Sequence, residues 1–331
     1  MSTSTRATTM TAVAQDRYGS TDVLNVSRMP VPAPGPNDVL VRVRAAGVDV
    51  GVWHLMTGRP YLMRMIGFGF RGPKARIRGL AFAGRVESVG SAVTRFRPGD
   101  DVVGSAQGAF AEYVAAPETS ITRMPGGAGY EKSAALPISG VTALQAVKAA
   151  GVTAGQRVLV IGAAGGVGTY AVQLAVAAGA TVTGVCSGPK AELVLSLAAA
   201  DVIDYTRSEI TAGDRRWDVI IDTAGNRPLS VLRRALTPDG TLVLVGGEAG
   251  GAVLGGMERV AAAGIRNRFT TQTLLGLLSK ENATDLAELV GLVEAGTLDP
   301  AIDTVYPLAE AAAAVKHIAD GRARGKVVLS V

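Results

Sequence analysis

The chain has 331 residues, which is more than one ordinary hydrophobic core accommodates and fits about two domains. Hydrophobic residues make up 48% of the chain and charged residues 18%, a composition that excludes an intrinsically disordered protein. The net charge of +5 is spread along the chain, without a block of like charges or arginines interleaved with aromatics, so we expect no nucleic acid partner.

Cysteine and histidine are scarce. The single cysteine, Cys186, excludes an intramolecular disulfide, and with only His54 and His317 it leaves few soft ligands for a metal ion. We therefore expect no metal site and a reducing compartment, the cytoplasm. Residues 1–10 resemble neither a signal peptide nor a membrane anchor. Residues 158–189 carry no charge, but glycines interrupt them, which favours a buried βαβ unit over a membrane span.

In chain order, the first part reads as strands and turns. Short β-like runs occupy residues 39–48, 84–90, 99–104 and 110–116. They predict a compact antiparallel barrel.

From residue 131 to 151 the periodicity is helical, and strand-like and helix-like segments then alternate. This alternation predicts a doubly wound parallel sheet. After about residue 265 we expect a strand at 265–271, an amphipathic helix at 282–296, and a last strand that returns to the first domain.

The stretch "VLVIGAAGGVG", residues 158–168, predicts a strand, a glycine turn and the start of a helix. Ala163, Gly165 and Gly168 fit the pattern G/A-x-G-x-x-G of a dinucleotide-binding turn, with Gly166 and Val167 inside it. Gly165 lets the backbone approach a pyrophosphate, and Gly168 lets the helix pack closely on the strand. Alanine is admissible at position 163 where φ is negative. The alternative is a tight strand-to-helix turn without a ligand.

The end of the next strand bears on the choice of cofactor. Enzymes that prefer NAD place an acidic residue there to bind the adenosine ribose, whereas this chain has "VCSGPK" at 185–190. Ser187 can donate to a phosphate, Lys190 can neutralise it, and Tyr205 adds a hydroxyl, so we predict NADP(H). The alternative is that Lys190 is simply a solvated lysine at a helix start.

Several stretches resemble the medium-chain dehydrogenase/reductase superfamily, in its zinc-independent quinone oxidoreductase (zeta-crystallin-like) group. The most specific is G-x-x-V-x-x-x-x-x-G-D-x-V, from Gly90 to Val102. The others are "AAGVD" (45–49), "ALPISGVTALQAV" (135–147), "DVIDYT" (201–206), "DTAG" (222–225), "GTLVLVGG" (240–247) and "GKVVLSV" (325–331).

The resemblance implies an α/β fold with two domains. A GroES-like β-barrel catalytic domain would comprise residues 1–130 and 266–331, and a Rossmann NADP(H)-binding domain residues 131–265. It also implies that the active site lies in the cleft between the two domains. The resemblance further implies a homodimer. Within the matching stretches, Thr142, Ala224 and Gly246 are candidate cofactor contacts, although Thr142 could instead bond back to its own helix.

Zinc-dependent relatives have a catalytic cysteine directly after "AAGV" and a histidine in a Gly-His-Glu triplet, where this chain has Asp49 and Leu80. The cysteines of their structural zinc are absent too, which again predicts no metal. The resemblance then implies hydride transfer from NADPH to a quinone or to the β-carbon of an activated alkene. Without a metal, hydrogen-bond donors must meet the developing oxyanion.

Three residues are candidates for that chemistry. Tyr61 matches a tyrosine that related enoyl reductases use as a donor, with packing in a loop as the alternative. Asp49 stands where the family more often has Asn and, when ionised, accepts but does not donate. His54 is a second donor candidate, with a structural role as its alternative. Residues 61–79, rich in Met and Phe, are interpreted as a lid over an apolar substrate or as a structural loop or dimer contact.

The resulting hypothesis is a zinc-independent, NADPH-dependent oxidoreductase that acts on a small quinone or enone. Two alternatives stay open: a biosynthetic enoyl or enone reductase with a bulky substrate, and a non-catalytic NADPH- or RNA-binding protein.

Overall fold

The computed structural model describes residues 8–246, 251 and 253–331, and the structural statements below refer to these residues. The strands are β1 (Thr9–Ala14), β2 (Asn25–Pro30), β3 (Asp38–Val48), β4 (Ala81–Val89), β5 (Asp101–Ser105), β6 (Tyr113–Pro117), β7 (Ile121–Arg123), β8 (Arg157–Ile161), β9 (Thr181–Cys186), β10 (Asp201–Asp204), β11 (Trp217–Asp222), β12 (Leu236–Leu244), β13 (Thr273–Gly276), β14 (Ile302–Pro307) and β15 (Lys326–Ser330). The helices are α1 (Val50–Thr57), α2 (Gly129–Ala134), α3 (Ser139–Ala150), α4 (Gly166–Ala177), α5 (Ala191–Ser196), α6 (Leu229–Ala235), α7 (Met257–Arg266), α8 (Ala283–Glu294) and α9 (Ala311–Ala319).

The first large sheet is mainly antiparallel and joins distant parts of the chain. Its order is β14-β15-β3-β4-β5-β7, with β6 also paired to β3. Strand β15 pairs antiparallel with β3, so that Val327 lies opposite Val48 and Ser330 opposite Ala45. The predicted strands at 39–48, 84–90, 99–104 and 110–116 are confirmed as β3 to β6, and the last strand does return to the first domain.

The second large sheet is parallel, in the order β10-β9-β8-β11-β12-β13. Its central strands are buried on both faces. Val158 and Val160 of β8 pack in a core with residues of α3 and α4. Leu159 and Ile161 of the same strand pack in a separate core with residues of α6 and α7. Because successive side chains of a strand point to opposite faces, helices cover both sides of the sheet, as predicted.

The predicted strand at 265–271 is wrong. Helix α7 continues to Arg266, and Asn267–Phe269 forms a 3-10 turn. The apolar residues that suggested a strand are exposed, since Ile265 and Phe269 keep 66% and 85% of their surface accessible. The strand lies later, at β13, where Leu274 is buried. Because β13 pairs with β12, the parallel sheet extends past the predicted domain limit of residue 265.

Membrane insertion finds no support among the residues described here, because none of their helices has both the length and the apolar character that crossing a bilayer requires.

Candidate active site

A cleft of about 430 Å³ lies at the carboxyl ends of β8, β9 and β11. Its other walls are the start of α1, the first turn of α4 and the loop between α9 and β15. In the parallel sheet, β9 and β10 follow β8 towards one edge, whereas β12 and β13 follow β11 towards the other edge. Ligands of doubly wound sheets bind at the point where the strand order reverses, which here lies between β8 and β11. The cleft therefore lies where this fold positions a ligand, and the antiparallel sheet closes it through β3 and β15.

The glycine turn explains the alanine in the motif. Gly162 has φ +80°, so it carries the left-handed conformation of the turn. Ala163 follows with full burial, and its φ is not positive. A Cβ at Gly168 would lie 2.0 Å from the Gly162 carbonyl oxygen, which confirms that helix and strand approach too closely there for a side chain.

The first turn of α4 borders the cleft. Gly165, Gly166 and Val167 line it, and Gly165 caps the helix in an extended conformation. A Cβ at Gly165 would meet only the Gly162 carbonyl oxygen, at 3.3 Å. The N–H groups of a helix start have no partner within the helix, and the two glycines add no side chain of their own, so this turn forms a cradle that fits the pyrophosphate of a dinucleotide.

The predicted phosphate residues Ser187, Lys190 and Tyr205 also line the cleft. Lys190 is not a freely solvated lysine, because its Nζ donates to the carbonyl oxygens of Gly321 and Ala323, both at 2.7 Å. Burial lowers the pKa of Lys190 below its ordinary value, an effect that Asp303 partly offsets.

An acidic residue does lie nearby, on the adjacent strand. Asp204 ends β10 and lies opposite Cys186 in the sheet. Hydrogen bonds from the backbone and hydroxyl of Thr206 lower the pKa of its carboxyl group. Burial raises the pKa of the Cys186 thiol, and the Asp204 charge adds to that shift. Cys186 is therefore a packing residue under the cleft rather than a thiolate.

A buried polar cluster forms another part of the cleft wall. Lys326 Nζ contacts Asp49 Oδ1 and also donates to Ser139 Oγ at 3.0 Å and to the Val48 carbonyl oxygen at 3.4 Å. Ser139 Oγ donates to the same Asp49 Oδ1 at 2.5 Å. The Lys326 and Asp49 side chains are only 1% and 4% exposed. Asp49 Oδ2 is buried without a hydrogen-bond partner, so the cluster retains one free acceptor.

Neither predicted proton donor lines the cleft. Tyr61 is 40% exposed beside the guanidinium groups of Arg59 and Arg64, and its hydroxyl has no described hydrogen-bond partner. His54 lies on α1, with Nδ1 at 3.0 Å from the Arg59 carbonyl oxygen.

Four predicted cofactor residues lie outside the cleft lining, namely Ala163, Gly168, Thr142 and Gly246, whereas Ala224 belongs to it. Thr142 donates to the Ile138 carbonyl oxygen at 2.8 Å, the back-bonded alternative. A Cβ at Gly246 would lie 2.1 Å from the Thr223 carbonyl oxygen, so this glycine is needed for chain packing beside the cleft.

Sequence reasoning missed Lys326 and Ser139. Lys326 is the first residue of strand β15, and a lysine directly before the apolar run 327–329 was the one available signal of a buried charge that needs a partner. Ser139 begins α3 and gave no local signal.

Metal-ligand clusters are absent over the part of the chain that the structure describes, where no three His, Cys, Asp or Glu side chains come together. At the position of the catalytic cysteine of zinc-dependent relatives, Asp49 is paired with Lys326. Leu80, at the histidine position, lines a separate cavity.

Comparison with known proteins agrees with this architecture. Residues 35–126 match the family "Alcohol dehydrogenase GroES-like domain", and residues 197–329 match "Zinc-binding dehydrogenase". The chain is 31% identical to the chloroplast envelope quinone oxidoreductase homolog of Arabidopsis thaliana, over 97% of this chain and 98% of that protein. It is 30% identical to the mitochondrial NAD(P)H oxidoreductase RTN4IP1 of Bos taurus, over 99% of this chain and 91% of that protein.

The solved quinone oxidoreductase from Coxiella burnetii superimposes with a TM-score of 0.82 at 28% identity, covering 98% of this chain and 99% of that one. With the glycine cradle at the switch point of a parallel sheet, these matches identify the chain as an oxidoreductase of the medium-chain dehydrogenase/reductase superfamily, in its quinone oxidoreductase group.

Proposed function

We propose that this oxidoreductase transfers a hydride from NADPH, without zinc, to a quinone or to the β-carbon of an α,β-unsaturated carbonyl. The observation that carries the proposal is the single cleft in which the open first turn of α4 and the buried Asp49–Lys326 pair meet. The names of the quinone oxidoreductase relatives support the acceptor class.

The nicotinamide, when bound, supplies the hydride. The chain binds and orients it: the N–H groups at the start of α4 hold the pyrophosphate, and the free Asp49 Oδ2 accepts a hydrogen bond from a ligand hydroxyl or amide. Lys326 and Ser139 hold the Asp49 carboxylate in place. Tyr61, whose hydroxyl is uncommitted among the described residues, is the first donor candidate and His54 the second; because neither lines the cleft, the acceptor must extend past the cleft rim to meet them.

The direct test is the loss of NADPH absorbance in the presence of EDTA, with a naphthoquinone and an open-chain enone as acceptors and with NADH in parallel. We expect turnover with NADPH that EDTA does not reduce. Inhibition by EDTA, restored by added zinc, would contradict the metal-free proposal. Absence of turnover with every acceptor, despite measured NADPH binding, would contradict reductase activity.

The preference for NADPH is proposed from Ser187, Lys190 and Tyr205, which line one end of the cleft. We expect Lys190→Glu to weaken NADPH binding by about 100-fold or more, because it replaces an attractive charge at the phosphate with a repulsive one. NADH binding serves as the internal control, since NADH lacks that phosphate but experiences the same loss of the bonds to Gly321 and Ala323. Equal losses for both cofactors, measured by fluorescence titration, would remove the assignment.

We also propose a homodimer. Strand β13 ends the parallel sheet over the described residues, and the segments on either side of it expose Ile265, Phe269 and Leu278. An open strand edge flanked by apolar side chains favours pairing with a second copy. Light scattering after gel filtration should give a dimer mass for the wild type and a monomer mass for Phe269→Asp. A monomeric wild type would contradict the proposal.

The cytoplasm, where the free and buried Cys186 stays reduced, is the proposed location.

A further inference from the structure

A second cavity, of about 310 Å³, lies in the antiparallel domain and shares no lining residue with the cleft. Its size is at the lower end of the range typical of small-molecule pockets. Most of the lining is apolar, namely Leu55, Phe68, Pro73, Ala75, Ile77 and Leu80. Its polar side chains are Lys74, Arg78 and Gln107, two of which are cationic.

Hydrogen bonds fix the walls of this cavity. The backbone N–H of Arg78 donates to the Val13 carbonyl oxygen at 3.0 Å, and the Arg78 carbonyl oxygen accepts from Phe110 N at 2.9 Å. At Phe68, another lining residue, the Tyr18 hydroxyl donates to the carbonyl oxygen at 3.0 Å. The segment 61–79, interpreted from sequence as a lid or structural loop, thus supplies an anchored wall.

The charge of Arg78 has no counterion among the described residues. The residue is 4% exposed, and its guanidinium contacts only the carbonyl oxygens of Leu55 and Ala75. Its Nε is buried without a partner. Burial lowers the pKa of Arg78 to about 10, so the group is still charged at neutral pH. A buried charge without an anion is costly, and a ligand anion in the cavity would remove that cost.

Helix α1 connects the cavity to the cleft. Val50, at its start, lines the cleft, whereas Leu55 lines the cavity. Leu80 Cδ1 lies 3.8 Å from the position of a Cβ on Gly51, the residue after Val50. Val50 and Leu55 are about 7.5 Å apart along the helix axis, a distance that a short alkyl chain spans.

We propose that the cavity binds the carboxylate end of an amphiphilic acceptor, with Arg78 and Lys74 as its cationic contacts, while the reacting double bond lies in the cleft. This inference rests on the proposed reductase function and narrows its substrate class to enones or quinones with an anionic, otherwise apolar chain. The apolar lining fits the chain, and a guanidinium fits the carboxylate.

The test uses vinyl ketones with a terminal carboxylate on alkyl chains of increasing length, each paired with its methyl ester. With the full-length wild type and NADPH, we expect at least one acid to exceed its ester in kcat/KM by about tenfold, the effect of a charge-assisted hydrogen bond. Arg78→Met should bring that ratio close to one. Arg76→Met is the matched control, because Arg76 is exposed, pairs with Asp16 and does not line the cavity. It should keep the wild-type ratio.

A second measurement separates this proposal from the reductase function. Octanoate, which cannot be reduced as an enone, is titrated calorimetrically into the protein without cofactor. We expect octanoate to bind saturably and Lys74→Met to weaken this binding severalfold. Because Lys74 is exposed, this variant is expected to fold, so the anion site can be tested even if Arg78→Met does not fold. Octanoate binding without any NADPH turnover would support the anion site and contradict the reductase. Turnover of esters and acids alike, with no octanoate binding, would overturn the anion site alone.

Discussion

Lys326→Met should lower the free energy of unfolding by about 3–5 kcal/mol, because it leaves the Asp49 carboxylate buried without its cation. Ser139 would be the remaining donor to that carboxylate, and one hydroxyl does not compensate a buried charge. Urea denaturation of the wild type and the variant measures the difference. We also expect weaker binding of the cofactor, since the same cluster lines the cleft.

The control for this prediction is the double variant Lys326→Met/Asp49→Asn. A neutral amide in place of the carboxylate removes the unpaired charge, so the double variant should be more stable than Lys326→Met alone. If the loss of stability in the double variant equals the sum of the losses in Lys326→Met and Asp49→Asn, the two side chains are not coupled. A loss of less than about 1 kcal/mol for Lys326→Met would place the pair in the range of exposed ion pairs, contrary to its burial.

Gly168→Ala should both destabilise the fold and weaken dinucleotide binding. Its Cβ would lie 2.0 Å from the Gly162 carbonyl oxygen and 2.8 Å from Ala163 Cα, so the turn itself must shift. Overpacking of this kind costs about 1–3 kcal/mol. The displaced turn also carries the N–H groups of the proposed pyrophosphate cradle. Thermal unfolding and NADPH titration of the same sample measure the two effects.

Gly165→Ala is the matched comparison within the same turn. Its Cβ would meet only the Gly162 carbonyl oxygen, at 3.3 Å, which the fold can tolerate with a small adjustment. The methyl group would nevertheless cover the start of α4, where the backbone is expected to approach the pyrophosphate. We expect little change in unfolding but a clear loss of NADPH affinity. Unchanged affinity in Gly165→Ala would contradict this location of the cradle.

The parts of the site that sequence predicted are those encoded by local patterns. The turn from Gly162 to Gly168 follows a strand and opens a helix, so its position in a parallel sheet could be inferred from spacing alone. Ser187 was found because it follows the adjacent strand, and the carboxyl ends of parallel strands meet at one edge. The strand predicted at 265–271 failed because Ile265 and Phe269 supply apolar periodicity while facing outward.

The other parts depend on contacts that no local pattern encodes. Asp49 and Lys326 are 277 positions apart, and only the pairing of β3 with β15 brings them together. The Arg78 cavity likewise depends on α1, which lines it through Leu55, and on the backbone hydrogen bonds that join Arg78 to Val13 and Phe110. Asp49 was visible in the sequence as an unusual residue, but its environment was not, and Arg78 gave no local signal.

The pairing of β15 with β3 also constrains the order in which the molecule can be built during translation. The residues of β3 from Ala45 to Val48 pair with β15. They therefore have no partner on that edge until the ribosome has synthesised the whole parallel-sheet domain, β14 and β15. In that interval the unpaired edge of β3 is open to other strands, a hazard for aggregation. The parallel-sheet domain can close its own core earlier, since its strands are contiguous along the chain. Assembly of the Asp49–Lys326 cluster is therefore a late folding event, and its appearance marks completion of the native cleft.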